Sequence, residues 1–89
     1  MIRQQSMRVL LRRSEGALLR LIGTVQRRGF EVTDIATHAQ DHDSWLVMLK
    51  VESNRELRLL ERQVEKLYDV IELIEEAPRF EHPALAAYA

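Results

Sequence analysis

An alternating apolar segment, Met7, Val9 and Leu11, runs into the polar stretch Arg12-Arg13-Ser14-Glu15. Gly16 then opens a helix, which Gly29 closes about 13 residues later, and a second apolar run, Phe30-Glu31-Val32, begins at once. Period-two alternation is the pattern of a half-buried strand. A helix tied by short connections to strands on both sides folds back onto the sheet those strands form. The glycine at the mouth of this helix has no side chain to shield the nearby N–H groups, so a small polar ligand or a partner chain can approach them.

The rest of the chain continues this grammar. Residues 1–4 are polar and expected to fray, and the first strand is expected from about Ser6 to Arg12. Ser14 is positioned as the N-cap of the first helix, with Glu15 near the positive end of its dipole. Leu18, Leu21, Ile22 and Val25 recur at i, i+3, i+4 and i+7, one apolar stripe, with Arg20, Thr24, Arg27 and Arg28 off it. Arg27 and Arg28 suit the negative end of that helix, and Gly29 suits a left-handed C′ position. From Phe30 to about Gln40 the parity changes between Val32 and Ile35, which predicts a bulge. Asp41-His42-Asp43 reads as a turn. Ser44 to Val51 alternates with Trp45, Val47, Leu49 and Val51 on one face, so the two runs form an antiparallel hairpin.

Ser53 with Glu56 fits a capping box at the start of a second helix, whose buried stripe is Leu57, Leu60, Val64 and Leu67. Arg55, Arg58, Glu61, Arg62 and Glu65 lie mostly outside that stripe. Asp69 to Ile74 reads as a last short strand. From Glu75 on, two prolines and a run of small residues read as a mobile tail. The order β-α-β-β-α-β predicts an α+β, ferredoxin-like fold, a four-stranded antiparallel sheet with two helices on one face. The other face of the sheet is then uncovered. Leu10, Leu46 and Met48 have the parity to point there, and together they suggest a surface covered by another chain and a homodimer.

Composition narrows the function. One 89-residue domain with 46% apolar residues is globular rather than disordered. Charged residues make up 30% with a net charge of −1, which argues against a nucleic-acid binder. The arginines at 3, 8, 12, 13, 20, 27 and 28 make the first third basic, yet its strand carries no aromatic platform, and Trp45 has the parity of the core. Without cysteine there is neither a disulfide nor a thiolate metal site. No apolar run is long enough to span a bilayer, and the first residues lack a signal-peptide core, so the expected location is cytoplasmic. His38, Asp41, His42 and Asp43 lie at a strand end and a turn rather than at metal-ligand spacing, and His82 stands apart, so no metal site is expected. No nucleophile sits in a strained turn, and nothing brings Glu15, Glu31 and Asp34 together as acid and base. Catalysis by this chain alone is not expected.

Glu15-Gly16-Ala17-Leu18, then Gln26-Arg27-Arg28-Gly29-Phe30, then Arg62-Gln63-Val64-Glu65-Lys66-Leu67-Tyr68-Asp69-Val70, in this order and spacing, resemble the ACT domain of the acetolactate synthase small subunit. The resemblance places an ACT-like domain at residues 6–75, with 1–5 and 76–89 as flexible termini, and is to the short type without a second C-terminal domain. It implies a non-catalytic regulatory subunit of branched-chain amino-acid biosynthesis. Such a subunit binds and activates a large subunit, and thiamine diphosphate, Mg²⁺ and FAD belong to that partner.

In valine-sensing members the effector lies between two ACT domains, against the loop after strand one and the start of strand two. That assigns Arg13, Ser14, Glu15, Gly16, Ala17, Leu18, Glu31 and Val32 to an effector site. The pattern has Asn where this chain has Arg13 and Glu31. An amide both donates and accepts, whereas Arg only donates and ionised Glu only accepts. The expectation is a weak response to valine, or none, with an Arg13–Glu31 ion pair as one way of closing the site. Two alternatives are a stand-alone ACT-type sensor acting on another enzyme and, disfavoured by charge and composition, a ferredoxin-like nucleic-acid or metal-handling module.

Overall fold

The computed structural model describes residues 2–74. The expected tail from Glu75 onward, with His82, lies outside the described residues. Six elements follow one another: β1 (Arg3–Arg12), α1 (Ala17–Arg27), β2 (Glu31–Ala39), β3 (Ser44–Ser53), α2 (Leu57–Glu65) and β4 (Val70–Ile74). The strands form one antiparallel sheet in the order β2-β3-β1-β4, so β2 and β4 are its edges. This is the ferredoxin-like βαββαβ arrangement.

The core is built by alternation. Met7, Val9 and Leu11 of β1 and Val47, Leu49 and Val51 of β3 point to the helices and are buried. Ala17, Leu21 and Val25 of α1, Leu60 and Val64 of α2, and Phe30 close over them. Full burial of a side chain of this size stabilises the fold by roughly 1.5–3 kcal/mol. Trp45 is half-buried and packs against this core. The parity change in β2 is a register shift between Val32 and Asp34 against β3. An irregular pairing forces the extra residue there, which is what two apolar positions of opposite parity require.

Several local expectations are corrected. β1 starts at Arg3, because β3 continues to Ser53 and offers Arg3, Gln4 and Gln5 a ladder partner. Backbone pairing needs no apolar side chain, so polar residues 3–5 extend the strand. Ser14 is not the cap of α1; the N-cap is Gly16, at φ +77°, with no side-chain hydrogen bond. Ser53 and Glu56 form no capping box. Instead Ser53 Oγ donates to the Gly29 carbonyl at 2.8 Å and accepts from the Arg55 N–H at 3.0 Å, which ties the end of β3 to the end of α1. Gly29 itself has φ +89°, as a left-handed helix terminator should. Thr24, expected off the buried stripe, is 6% exposed, whereas Leu18 and Ile22 are half-buried; α1 is rotated toward Ala17 and Thr24.

On the sheet face away from the helices Leu10 and Met48 are half-buried, but Leu46 is only 7% exposed. Leu46 lies on the inner strand β3, paired with Leu10 on one side and His38 on the other.

Candidate functional site

The loop from Arg12 to Gly16 is held from two sides. On one side, the Arg12 N–H donates to the Asp69 carbonyl at 2.7 Å, and Arg12 Nε donates to the Tyr68 carbonyl at 3.2 Å. On the other, the Arg13 N–H donates to the Asp43 carbonyl at 2.9 Å and Arg13 Nη1 to the Asp41 carbonyl at 3.1 Å. The Arg13 guanidinium also lies over the Trp45 ring, 5.3 Å from its centroid. Asp41 in turn accepts the Asp43 N–H at 2.8 Å and the Ser44 hydroxyl at 2.9 Å. The Asp43 N–H, followed by the Ser44 hydroxyl, holds the Asp41 carboxyl below its ordinary value. A side chain that accepts from the main chain two residues on is what fixes an Asp-led turn.

Asp69 organises the loop from below. It is 3% exposed, and its carboxylate receives three donors. Arg20 Nε reaches Oδ2 at 2.7 Å, Arg20 Nη2 reaches Oδ1 at 2.9 Å, and the Ser14 hydroxyl reaches Oδ1 at 3.0 Å. The hydrogen bonding from Arg20 holds the Asp69 carboxyl below the usual carboxylate range; burial opposes this, while Ser14 and the charges of Arg20 and Arg12 assist it. The same pairing with Asp69 raises Arg20. Arg20 Nη2 also donates to the Glu15 carbonyl at 2.9 Å, so one guanidinium fastens the loop, α1 and the entrance to β4. Nothing local in the sequence singled out Asp69, because its partners are 49 and 55 residues away.

The residues assigned to an effector site are only partly brought together. Arg13 and Ser14 line a depression of about 310 Å³ with Arg12 and Asp43. Glu15 is exposed, Gly16 caps α1, Ala17 is buried and Leu18 is half-buried, all on the same loop and helix start. The N–H groups of Leu18 and Leu19 have no acceptor among the described residues, as the first turn of an uncapped helix leaves them. Glu31 and Val32 are elsewhere. Glu31 pairs with Glu52, which pairs with Gln4, whereas Arg13 follows Arg12, which pairs with Ser44. Eight strand residues separate those levels, about 26 Å at roughly 3.3 Å each. Glu31 lines a different depression of about 460 Å³, with Phe30 and Asn54. An Arg13–Glu31 ion pair within one chain is therefore ruled out by the sheet.

This arrangement suits polar ligand binding rather than chemistry. It offers main-chain donors and guanidinium groups, with the one described buried carboxylate, Asp69, already committed to Arg20 and Ser14. Among the described residues no three His, Asp or Glu side chains gather at metal-binding range. No described helix is long and apolar enough to cross a membrane.

A model of the ACT domain family matches residues 13–73. Among solved structures, the small subunit of acetolactate synthase from Thermotoga maritima superposes with a TM-score of 0.75 at 20% identity, over 89% of this chain and 50% of that one. The chain thus spans about half the length of that subunit. The ACT domain of GTP pyrophosphokinase from Chlorobium tepidum superposes in its crystal structure with a TM-score of 0.70 at 14% identity, over 83% of this chain and 97% of that one. Its solution structure gives 0.69 at 17% identity, over 91% and 92%. These likenesses establish a shared fold. No sequence among curated proteins matches the chain.

Proposed function

This chain belongs to the ACT domain family, and we propose that it is the regulatory, non-catalytic subunit of acetolactate synthase in branched-chain amino-acid biosynthesis. Supporting observations are the order of the three motifs along the chain and the likeness to the Thermotoga small subunit. In this reading it binds and activates a large subunit, where thiamine diphosphate, Mg²⁺ and FAD reside.

The observation that carries the regulatory reading is the separation of Arg13 from Glu31 at opposite ends of the sheet. β2 is an edge strand, open to pairing along Glu31–Ala39. Two copies joined antiparallel through β2 about a twofold axis at Ile35 set Glu31 of one opposite Ala39 of the other. Ala39 pairs with Trp45, whose ring carries Arg13. A side-by-side homodimer thus reassembles the effector site from the loop of one copy and the β2 start of its partner. Arg13 is already engaged with Asp41 and Trp45, and it stands with Glu31 where the valine-sensing pattern has amides, so valine binds weakly or not at all.

Co-expression with the thiamine-dependent large subunit from the same source tests this reading. The expected results are co-purification and higher synthase activity with this chain than without it. A large subunit that neither binds this chain nor responds to it sinks the assignment. The near-complete coverage of the pyrophosphokinase ACT domain favours a second reading, an ACT-type amino-acid sensor acting on another enzyme. Amino-acid binding in the absence of any effect on acetolactate synthase selects it.

A further inference from the structure

The outer face of α2 carries charges sorted by sign. Arg58, Arg62 and Lys66 follow one another at i, i+4 and i+8, all exposed, while Glu61 and Glu65 form a neighbouring row. Like charges four residues apart repel, whereas the opposite charges three apart, Arg58 with Glu61 and Arg62 with Glu65, attract. Nothing in the packing of α2 needs this arrangement, since the helix buries Leu60 and Val64 on its opposite side.

The basic row borders a groove of about 580 Å³ between α2 and the end of α1. Arg28, Arg55, Arg62 and Lys66 line it against a single carboxylate, Glu65. Among the described residues none of these four cations is in an ion pair, since that role belongs to Arg20 and Asp69. Arg28 is steadied by donating from Nη2 to Gln63 Oε1 at 3.0 Å. Leu59, 54% exposed, also lines the groove.

We propose that this groove docks an acidic segment of a partner protein, laid along α2 with its carboxylates on the cations and an apolar side chain against Leu59. Charge complementarity selects the occupant. The groove's cations run from Arg55, before the nine residues of α2, to Lys66, after them, about 14 Å at roughly 1.5 Å per residue, so they match a chain rather than one compact anion. A nucleic-acid backbone fits less well. No exposed aromatic ring lines the groove for a base to stack on. The surface is separate from the Arg13 loop, and the inference holds whether or not the catalytic partner is acetolactate synthase.

The test uses a fluorescent synthetic peptide of about 12 residues, with glutamate at every third or fourth position and two leucines, titrated into the full chain by anisotropy. Saturable binding is expected, weakened about tenfold or more by Arg62→Glu/Lys66→Glu. Arg62→Gln/Lys66→Gln, which keeps the helix free of new acids, should weaken it by a smaller factor. Arg3→Glu/Lys50→Glu, an equal charge change on the sheet, should leave it unchanged. Circular dichroism confirms that each variant is folded. Four results overturn the proposal: no saturable binding, equal loss in the sheet variant, equal binding of a glutamine-for-glutamate peptide, or displacement by a triphosphate or an oligothymidylate as effective as by unlabelled peptide. None of these outcomes bears on co-purification with a large subunit, so the two readings fail separately.

Discussion

Replacing each of two glycines of the α1 region by alanine should move stability in opposite directions. Gly16 has φ +77°, and a Cβ there would sit 2.8 Å from Arg20 Nη1. The left-handed backbone alone costs an L-residue about 1–2 kcal/mol. Arg20 must also yield, although its fork is held on Asp69 at 2.7 and 2.9 Å. Gly23 lies inside α1 with ordinary helical geometry, and a Cβ there meets only the far end of exposed Arg27, at 3.2 Å. Alanine at that position should stabilise the domain by about 0.5–1 kcal/mol, because it restricts the unfolded chain and suits a helix. For a domain of this size 1 kcal/mol shifts Tm by roughly 4–8 °C. Gly16→Ala should therefore lower Tm by at least about 4 °C, and Gly23→Ala should raise it. In an Arg20→Met background the close approach is gone, so Gly16→Ala should cost less than in the wild-type chain. Thermal melts of the four variants decide the matter. Equal costs in both backgrounds would mean that Arg20 does not feel the loop, and a neutral Gly16→Ala would refute the left-handed cap itself.

Leu21→Ala and Leu60→Ala remove fully buried side chains from α1 and α2, and each should cost about 2–5 kcal/mol in urea melts; unchanged midpoints would mean that the helical faces are misassigned. Asp69 titrates below the ordinary carboxylate range in the folded state, so its contribution is present above the unfolded value of about 3.9 and is lost as pH falls through the folded one. Asp69→Asn should accordingly be less stable than wild type at neutral pH, with the gap closing in acid; a gap constant down to pH ~2 would exclude the Arg20 pairing as its source. Light scattering should report a dimer at micromolar concentration, and Thr37→Pro on the β2 edge should return it to a monomer, whereas a dimer indifferent to that change pairs through another surface. Calorimetry should find valine binding absent or weaker by roughly two orders of magnitude than micromolar affinity, since each unmatched buried polar group costs about 1–3 kcal/mol; micromolar valine binding refutes the role given to Arg13 and Glu31.

Order, fold class and most of the core were legible in the sequence, because they rest on short-range repetition. Met7, Val9 and Leu11 alternate, Leu21 and Val25 recur with the helical period, and the parity break between Val32 and Ile35 sits where the register shifts. Gly29 announced its left-handed turn because few other residues accept one. What the tertiary structure decided depends on which distant residues meet. Ser14 looked like a cap but serves Asp69, Ser53 looked like a cap but serves Gly29, and Leu46, on the face away from the helices, is buried. Arg13 and Glu31, assigned to one effector site by a family pattern, are set at opposite ends of the sheet by the antiparallel register. A side chain's local propensity is fixed by its own backbone and near neighbours, whereas its hydrogen-bond partner is chosen only once the sheet has fixed its register. That is why the helices and strands were readable from the sequence, and the Arg20–Asp69–Ser14 clasp was not.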